Sequence, residues 1–135
     1  QVEARAFGQD CSNATAVLVI SGNGAPLYQA AFATPWVFGL ADAQTSEAMT
    51  AALSTWITPT GATSTGQLPL WPPGQEVPET EFPFYPADDL DQEAYEALRA
   101  TDDPVFCFAQ GLESALCVRA ADTIIEEIGV QAFPG

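Results

Sequence analysis

Three carboxylates stand among aromatic side chains in a proline-rich stretch of the sequence. Glu76, Glu79 and Glu81 lie between Trp71 on one side and a second aromatic group on the other, formed by Phe82, Phe84 and Tyr85. Two carboxyl groups about 5–9.5 Å apart can hydrolyse a glycosidic bond. One interpretation is therefore a hydrolase that acts on a glycan through carboxylates alone. The other is that prolines hold the segment extended while its aromatic rings pack into the domain.

A second candidate is the polar stretch 110–114, where Leu112 is the single large apolar residue. A hairpin tip that presents an apolar side chain can serve as a binding loop, although it can also be an ordinary turn without a partner. Together the two regions predict a set of ligand- or partner-binding residues: Trp71, Glu76, Glu79, Glu81, Phe84, Tyr85 and Leu112.

Two of the three cysteines are placed to form a cross-strand disulfide. Residues 105–109 and 115–119 alternate in side-chain character around Gly111, which is typical of a hairpin. With 111–113 as its loop, Cys107 lies opposite Cys117, and both thiols lie on the face opposite the predicted core residues Phe106, Phe108, Leu116 and Val118. A disulfide indicates an oxidising compartment, so we expect an exported chain, periplasmic or extracellular, with its signal peptide removed. Connectivity is not readable from sequence, and pairing through Cys11 or free thiols in a reducing compartment remain alternatives.

The composition excludes several functional classes. The 135 residues include 18 acidic and 3 basic side chains, which gives a net charge of -15, and there is no histidine. This charge opposes binding to nucleic acid or anionic lipid. It fits the composition of a halotolerant or exported protein, and the alternative is an acidic surface that binds a protein partner with a basic surface. The absence of histidine removes histidine-based catalysis, and three cysteines cannot form a four-thiolate zinc site. We therefore expect no cofactor and no metal site. The longest apolar run, 16–20, is too short for a transmembrane segment.

Residue periodicity predicts the elements of the first half. Val2–Phe7 alternates weakly and predicts a strand, whereas 15–20 is a continuous run rich in β-branched residues and predicts a strand buried on both faces. A glycine- and asparagine-rich turn at 21–24 leads to a returning strand at 26–32. Apolar residues at helical spacing predict a helix over 45–57 with Thr45 as its N-cap.

The second half begins with a proline- and glycine-rich connection over 59–86. Its first part, 60–66, is small and polar and predicts a flexible linker. Its second part, 68–86, is expected to be ordered and held to the domain by Trp71, Phe82 and Phe84. A helix follows over 88–101, and the acidic residues at its start, Asp88 or Asp89, are interpreted as helix caps rather than calcium ligands. A last strand over 123–128 precedes a tail at 129–135.

The order of these elements predicts an α+β domain spanning 1–135. Its components are a mainly antiparallel sheet of two hairpins plus edge strands, two amphipathic helices and a long proline-rich wrapping loop. We expect a small acidic binding or interaction module whose partner is a protein or a cell-envelope component, more readily than an enzyme. The glycan hydrolase stays the alternative.

Overall fold

The computed structural model describes residues 1–134 and has an α+β architecture, as predicted. The helices are α1 (Ser46–Trp56) and α2 (Gln92–Thr101). The strands are β1 (Val2–Phe7), β2 (Thr15–Gly22), β3 (Ala25–Ala33), β4 (Phe84–Pro86), β5 (Val105–Ala109), β6 (Ser114–Ala121) and β7 (Ile124–Ala132). They form two antiparallel sheets, one of order β1-β2-β3 and one of order β4-β7-β6-β5.

The chain divides into two compact units. The first unit contains residues 1–58 and 108–112, and the second contains residues 59–107 and 113–134. The first unit contains α1 and the β1-β2-β3 sheet, and the second contains α2 and the other sheet except for residues 108–109 of β5. The expectation of a single domain over 1–135 stays a prediction.

In the first unit, β2 is the central strand and pairs with both β1 and β3. One of its faces, formed by Ala16, Leu18 and Ile20, is buried. Burial of both faces was predicted, but Val17 and Val19 are only half-buried. The reason lies in the register, because the polar residues Glu3 and Gln29 stand on either side of Val19 and keep that face partly solvated.

The helix of the first unit begins where the sequence predicts. The Thr45 hydroxyl accepts a 3.1 Å hydrogen bond from the Ala48 amide and thereby caps α1. At the other end, the buried Trp56 indole donates to the Ala109 carbonyl at 2.7 Å. Its ring meets Phe108 edge-on at 6.0 Å, and Phe108 meets Phe32 at 5.9 Å. These rings form an aromatic cluster within the first unit.

The second unit has a separate hydrophobic cluster built around Tyr95. Its buried members come from α2, the proline-rich segment and three strands: Leu68, Phe84, Tyr95, Leu98, Val105, Cys107, Cys117 and Ile128. The predicted Cys107–Cys117 disulfide is present, and Cys11 is free. The sulfurs were expected on the face opposite the core, and this was wrong. Both cysteines are buried in the cluster because α2 and the proline-rich segment supply a second apolar layer.

The segment 68–86 is packed on the second unit, although its anchors differ from those predicted. Leu68 and Phe84 are buried and Trp71 is half-buried, whereas Phe82 remains exposed. Residues Phe84–Pro86 form β4 and pair with β7. This pairing corrects the expected tail, because β7 continues through Ala132. Gly129 permits the approach, since a Cβ there would lie 2.5 Å from Phe84 Cζ.

Two further boundaries differ from the sequence interpretation. The linker predicted over 60–66 is held in place at its second half. There the Thr65 amide donates to the Asp103 carbonyl at 2.8 Å, and the Val105 amide donates to the Thr63 carbonyl at 3.0 Å. Helix α2 begins at Gln92 rather than at 88, because the Asp91 carboxylate accepts from the Ala94 amide and caps the helix in place of Asp88 or Asp89.

Candidate functional site

Three large apolar side chains of the first unit are exposed to solvent and come from two neighbouring loops. Trp36 is 69% exposed, Phe38 is 50% exposed and Leu112 is 43% exposed. We call these three residues the hairpin-tip patch. Single exposed apolar residues are common on proteins, but grouped aromatic residues mark interaction surfaces.

The local sequence explains why Trp36 and Phe38 point outward. Thr34–Trp36 forms a single 3-10 turn, after which the chain alternates between outward and inward side chains. Thr34, Val37 and Leu40 are buried, so the two aromatic residues between them face solvent. Gly39 follows Phe38 at φ 87°, a conformation that glycine adopts at little cost and that lets the chain turn inward to Leu40.

Backbone hydrogen bonds hold this loop in place. The Thr34 amide donates to the Ala14 carbonyl at 3.0 Å, which ties the loop to the start of β2. The Phe38 amide donates to the Gly111 carbonyl at 3.0 Å, which ties it to the loop that carries Leu112. The hairpin-tip patch therefore stands on two loops joined by backbone contacts. A loop whose backbone is already held in place loses little backbone entropy when a partner binds.

Leu112 was predicted from the sequence, whereas Trp36 and Phe38 were not. The signal that could have found them is the stretch 34–39, in which two aromatic residues alternate with Val37 between a proline and a glycine. Alternation alone does not show which side faces solvent, because an aromatic side chain is the expected inward residue. Their exposure depends on Val37 and Leu40 filling the interior instead.

The predicted site residues of the proline-rich segment separate into buried and exposed groups. Trp71 and Phe84 are brought together at Tyr95, with ring centroids 5.4 Å and 6.2 Å from it. The Trp71 indole N–H donates to the Gln75 carbonyl at 2.8 Å, so its polar edge is used within the segment. Phe84 is buried and presents no surface to a ligand. Tyr85, by contrast, is half-exposed on β4.

The three glutamates of the segment are all exposed. Glu76, Glu79 and Glu81 stand in a stretch whose backbone is held by a 2.7 Å bond from the Glu79 amide to the Leu70 carbonyl. A glycosidase acid needs a desolvated environment in order to stay protonated near neutral pH. Exposure of all three side chains offers no such environment.

One titratable group of the second unit is strongly perturbed. Burial raises the pKa of the Tyr95 hydroxyl well above its ordinary value of 10.0, and the Arg99 guanidinium offsets part of this effect. The hydroxyl donates to the Pro69 carbonyl at 2.6 Å, and the side chain is 0% exposed. A substrate would have no access to this group, so its perturbation reflects packing.

A cavity of about 420 Å³ lies between α2 and the sheet of the second unit. Its charged lining includes Arg119, which is bonded to Asp103 at 2.7 Å and to Glu126 at 3.0 Å. Because two carboxylates already hold this guanidinium, it is poorly placed to bind an anionic ligand. Within residues 1–134, no three histidine, cysteine or acidic side chains are grouped to hold a metal ion.

Within the same residues, neither helix is long and apolar enough to cross a bilayer. Comparison of the chain with protein-family models, with curated proteins and with solved structures found no match.

Proposed function

We propose that the protein is a small exported binding module whose partner is a protein, and that the hairpin-tip patch is the centre of the contact surface. The observation that carries the proposal is the exposure of Trp36 and Phe38 on a loop fixed by backbone bonds. Tryptophan is enriched among the residues that contribute most of the binding energy of protein interfaces. Such residues cluster at the well-packed centre of the interface.

The net charge of -15 supports a partner with a basic surface. Opposite charges accelerate encounter, while the apolar centre supplies most of the affinity. The buried disulfide is compatible with an oxidising compartment, which supports export to the periplasm or the extracellular space. The exposed glutamates near Trp71 give less support to the glycan hydrolase, because they lack the desolvation that such chemistry uses.

Affinity capture from the cell-envelope fraction tests the proposal. The immobilised protein is compared with the double variant Trp36→Ser and Leu112→Ser. The matched control is Leu70→Ser, which removes an apolar side chain of the second unit whose exposure lies between those of Leu112 and Trp36. We expect a basic protein that is retained by the parent chain and by the control, lost from the double variant, and captured more slowly at about 0.5 M salt.

Titration of the captured protein provides the second readout. Trp36 is exposed whereas Trp56 is buried, so binding at the patch should shift the fluorescence of Trp36 to shorter wavelength. Equal capture by all three chains would contradict the proposed surface. Release of sugar from an envelope glycan, abolished by substituting Glu76, Glu79 and Glu81, would favour the hydrolase.

A further inference from the structure

Strand β1 is at the edge of the first unit's sheet and pairs on one side with β2. Gln1 and Ser21 exchange two backbone hydrogen bonds, of 2.9 Å and 2.7 Å. Bonded and non-bonded pairs alternate along an antiparallel ladder. The odd-numbered residues of β1 therefore bond to β2, whereas Val2, Ala4 and Ala6 direct their N–H and C=O groups away from it.

These outward groups have no hydrogen-bond partner among residues 1–134. The three residues are half-buried, and Ala4 and Ala6 border a groove of about 670 Å³ that is also lined by Leu53 of α1 and by Ile57, which follows α1. An edge with unpaired backbone groups is a template on which another strand can pair. The groove leaves room beside β1 for such a strand.

The charged side chains of β1 indicate which strand fits. Glu3 and Arg5 lie on the exposed face of the sheet, two residues apart. Arg99 and Arg119 each form ion pairs with carboxylates. Arg5, by contrast, has no carboxylate within 4.0 Å in the part of the chain that the structure describes. The chain has 18 acidic residues, yet this arginine lies on an open sheet edge with no carboxylate of residues 1–134 bound to it. Its guanidinium is therefore available to a carboxylate of another molecule.

We propose that β1 pairs antiparallel with β1 of a second copy of this chain, about a two-fold axis at Ala4. In this register Ala4 forms a hydrogen-bonded pair with Ala4 of the second copy, and Val2 forms one with Ala6 of the second copy. These pairs use the N–H and C=O groups that point away from β2. Glu3 stands opposite Arg5 of the second copy, and Arg5 opposite its Glu3. These are non-bonded positions, where side chains come closest and opposite charges stabilise pairing.

The alternative registers are worse for a physical reason. A shift of two residues places Glu3 opposite Glu3 in one direction and Arg5 opposite Arg5 in the other, and like charges directly opposite destabilise a pair. A shift of one residue places residues of the exposed face of one copy opposite residues of the core face of the other. The two-fold register also sets the exposed Phe7 against Gln1 of the second copy, which reduces its contact with water.

Sedimentation equilibrium at about 0.15 M NaCl tests the proposal, because this salt screens the long-range repulsion between two copies that each carry -15 but leaves charge pairs in direct contact largely intact. We expect a reversible dimer. The single substitutions Glu3→Arg and Arg5→Glu should each lower the association constant at least about tenfold, since both cross-strand pairs become repulsive. The double swap restores the pairs and should return the constant to within about threefold of the parent value.

Two controls separate pairing from net charge and from folding. Glu76→Arg changes the net charge as much as Glu3→Arg does, but on an exposed loop of the second unit, so it should not weaken association. Ala4→Pro removes an outward N–H that β2 does not use, and it should abolish the dimer while circular dichroism shows that the fold is kept. A chain that stays monomeric at about 1 mM, or a dimer whose constant ignores the charge swap, would overturn the proposal.

Discussion

The hydroxyl of Tyr95 donates a 2.6 Å hydrogen bond to the carbonyl oxygen of Pro69. This bond joins the buried face of α2 to the proline-rich segment. On either side of it, the Trp71 and Phe84 rings of the same segment pack against the Tyr95 ring. This bond is one of several polar contacts that hold the segment, and it lies within an aromatic cluster. Together these contacts explain how a chain with little regular structure stays ordered.

Substitution of Tyr95 by phenylalanine tests this contact. The ring packing is retained, but the Pro69 carbonyl loses its donor, so we expect the free energy of unfolding to fall by about 1 kcal/mol. Urea denaturation at neutral pH measures the change. Tyr85→Phe is the matched control, because Tyr85 is half-exposed on β4 and its substitution should have little effect. A loss as small as that of the control would contradict a stabilising role for the bond.

The raised pKa of Tyr95 predicts a stability change at alkaline pH. The unfolded tyrosine ionises near pH 10 whereas the folded one keeps its proton, so the stabilising contribution is complete below pH 10 and falls as the pH rises further. Above pH 10 the parent should lose up to about 1.4 kcal/mol per pH unit more than Tyr95→Phe. Urea curves between about pH 8 and 11.5 measure the difference. Parallel pH profiles for the two chains would contradict the prediction.

Alkylation of the denatured chain tests the disulfide. Material from an oxidising compartment should take up label on Cys11 alone before reduction, and on all three cysteines after it. Substitution of both Cys107 and Cys117 by alanine should lower the free energy of unfolding by about 2–4 kcal/mol. Cys11→Ala is the control and should leave the pairing intact. A non-reduced peptide that links Cys11 to either hairpin cysteine would disprove the pairing.

Thr65 fixes the second half of the region that resembles a linker. Its buried hydroxyl accepts from the Asp103 amide at 2.9 Å and lies 3.1 Å from the Thr101 hydroxyl. Thr65→Val keeps the shape but leaves that amide without its acceptor, which should cost about 1–3 kcal/mol. Thr60→Val, at an exposed position, is the control. Hydrogen exchange should protect the Thr65 and Val105 amides in the parent, and equal exchange at Thr60 and Thr65 would argue against a fixed segment.

The net charge of -15 predicts that salt stabilises the fold. The chain has eighteen carboxylates and three guanidinium groups, so the negative charges repel one another in the folded state. At about 0.5 M NaCl this repulsion is largely screened. The melting temperature at pH 7 should therefore rise between about 0.02 and 0.5 M NaCl. Sulfate and chloride salts at equal ionic strength distinguish screening from ion-specific effects. A melting temperature that is independent of chloride concentration would contradict the prediction.

The candidate site was only partly accessible to sequence reasoning. Leu112 could be proposed because it is a single apolar residue in a polar turn, and exposure follows from that setting. Trp36 and Phe38 could not, because large aromatic residues are expected to be buried. Among the residues of the proline-rich segment, nothing in the sequence separates Phe84, which is buried, from Phe82, which is exposed.

By itself, the sequence determined the elements whose signals are local. Periodicity and turn residues located β1 and the β2–β3 hairpin, the Thr45 cap located the start of α1, and alternation around Gly111 located the Cys107–Cys117 pair. Each of these features depends on residues within one turn or one hairpin, where backbone geometry limits the choices.

Only the tertiary structure decided the features that depend on distant residues. Strand β7 continues to Ala132 because β4 arrives beside it, the 63–66 region is ordered because Asp103 and Val105 bond to it, and the disulfide is buried because α2 covers it. In these places, whether a backbone group is hydrogen-bonded or a side chain is buried does not depend on its neighbours in the sequence. It depends on a contact with a residue that is distant in the chain, and the local sequence gives no sign of that contact.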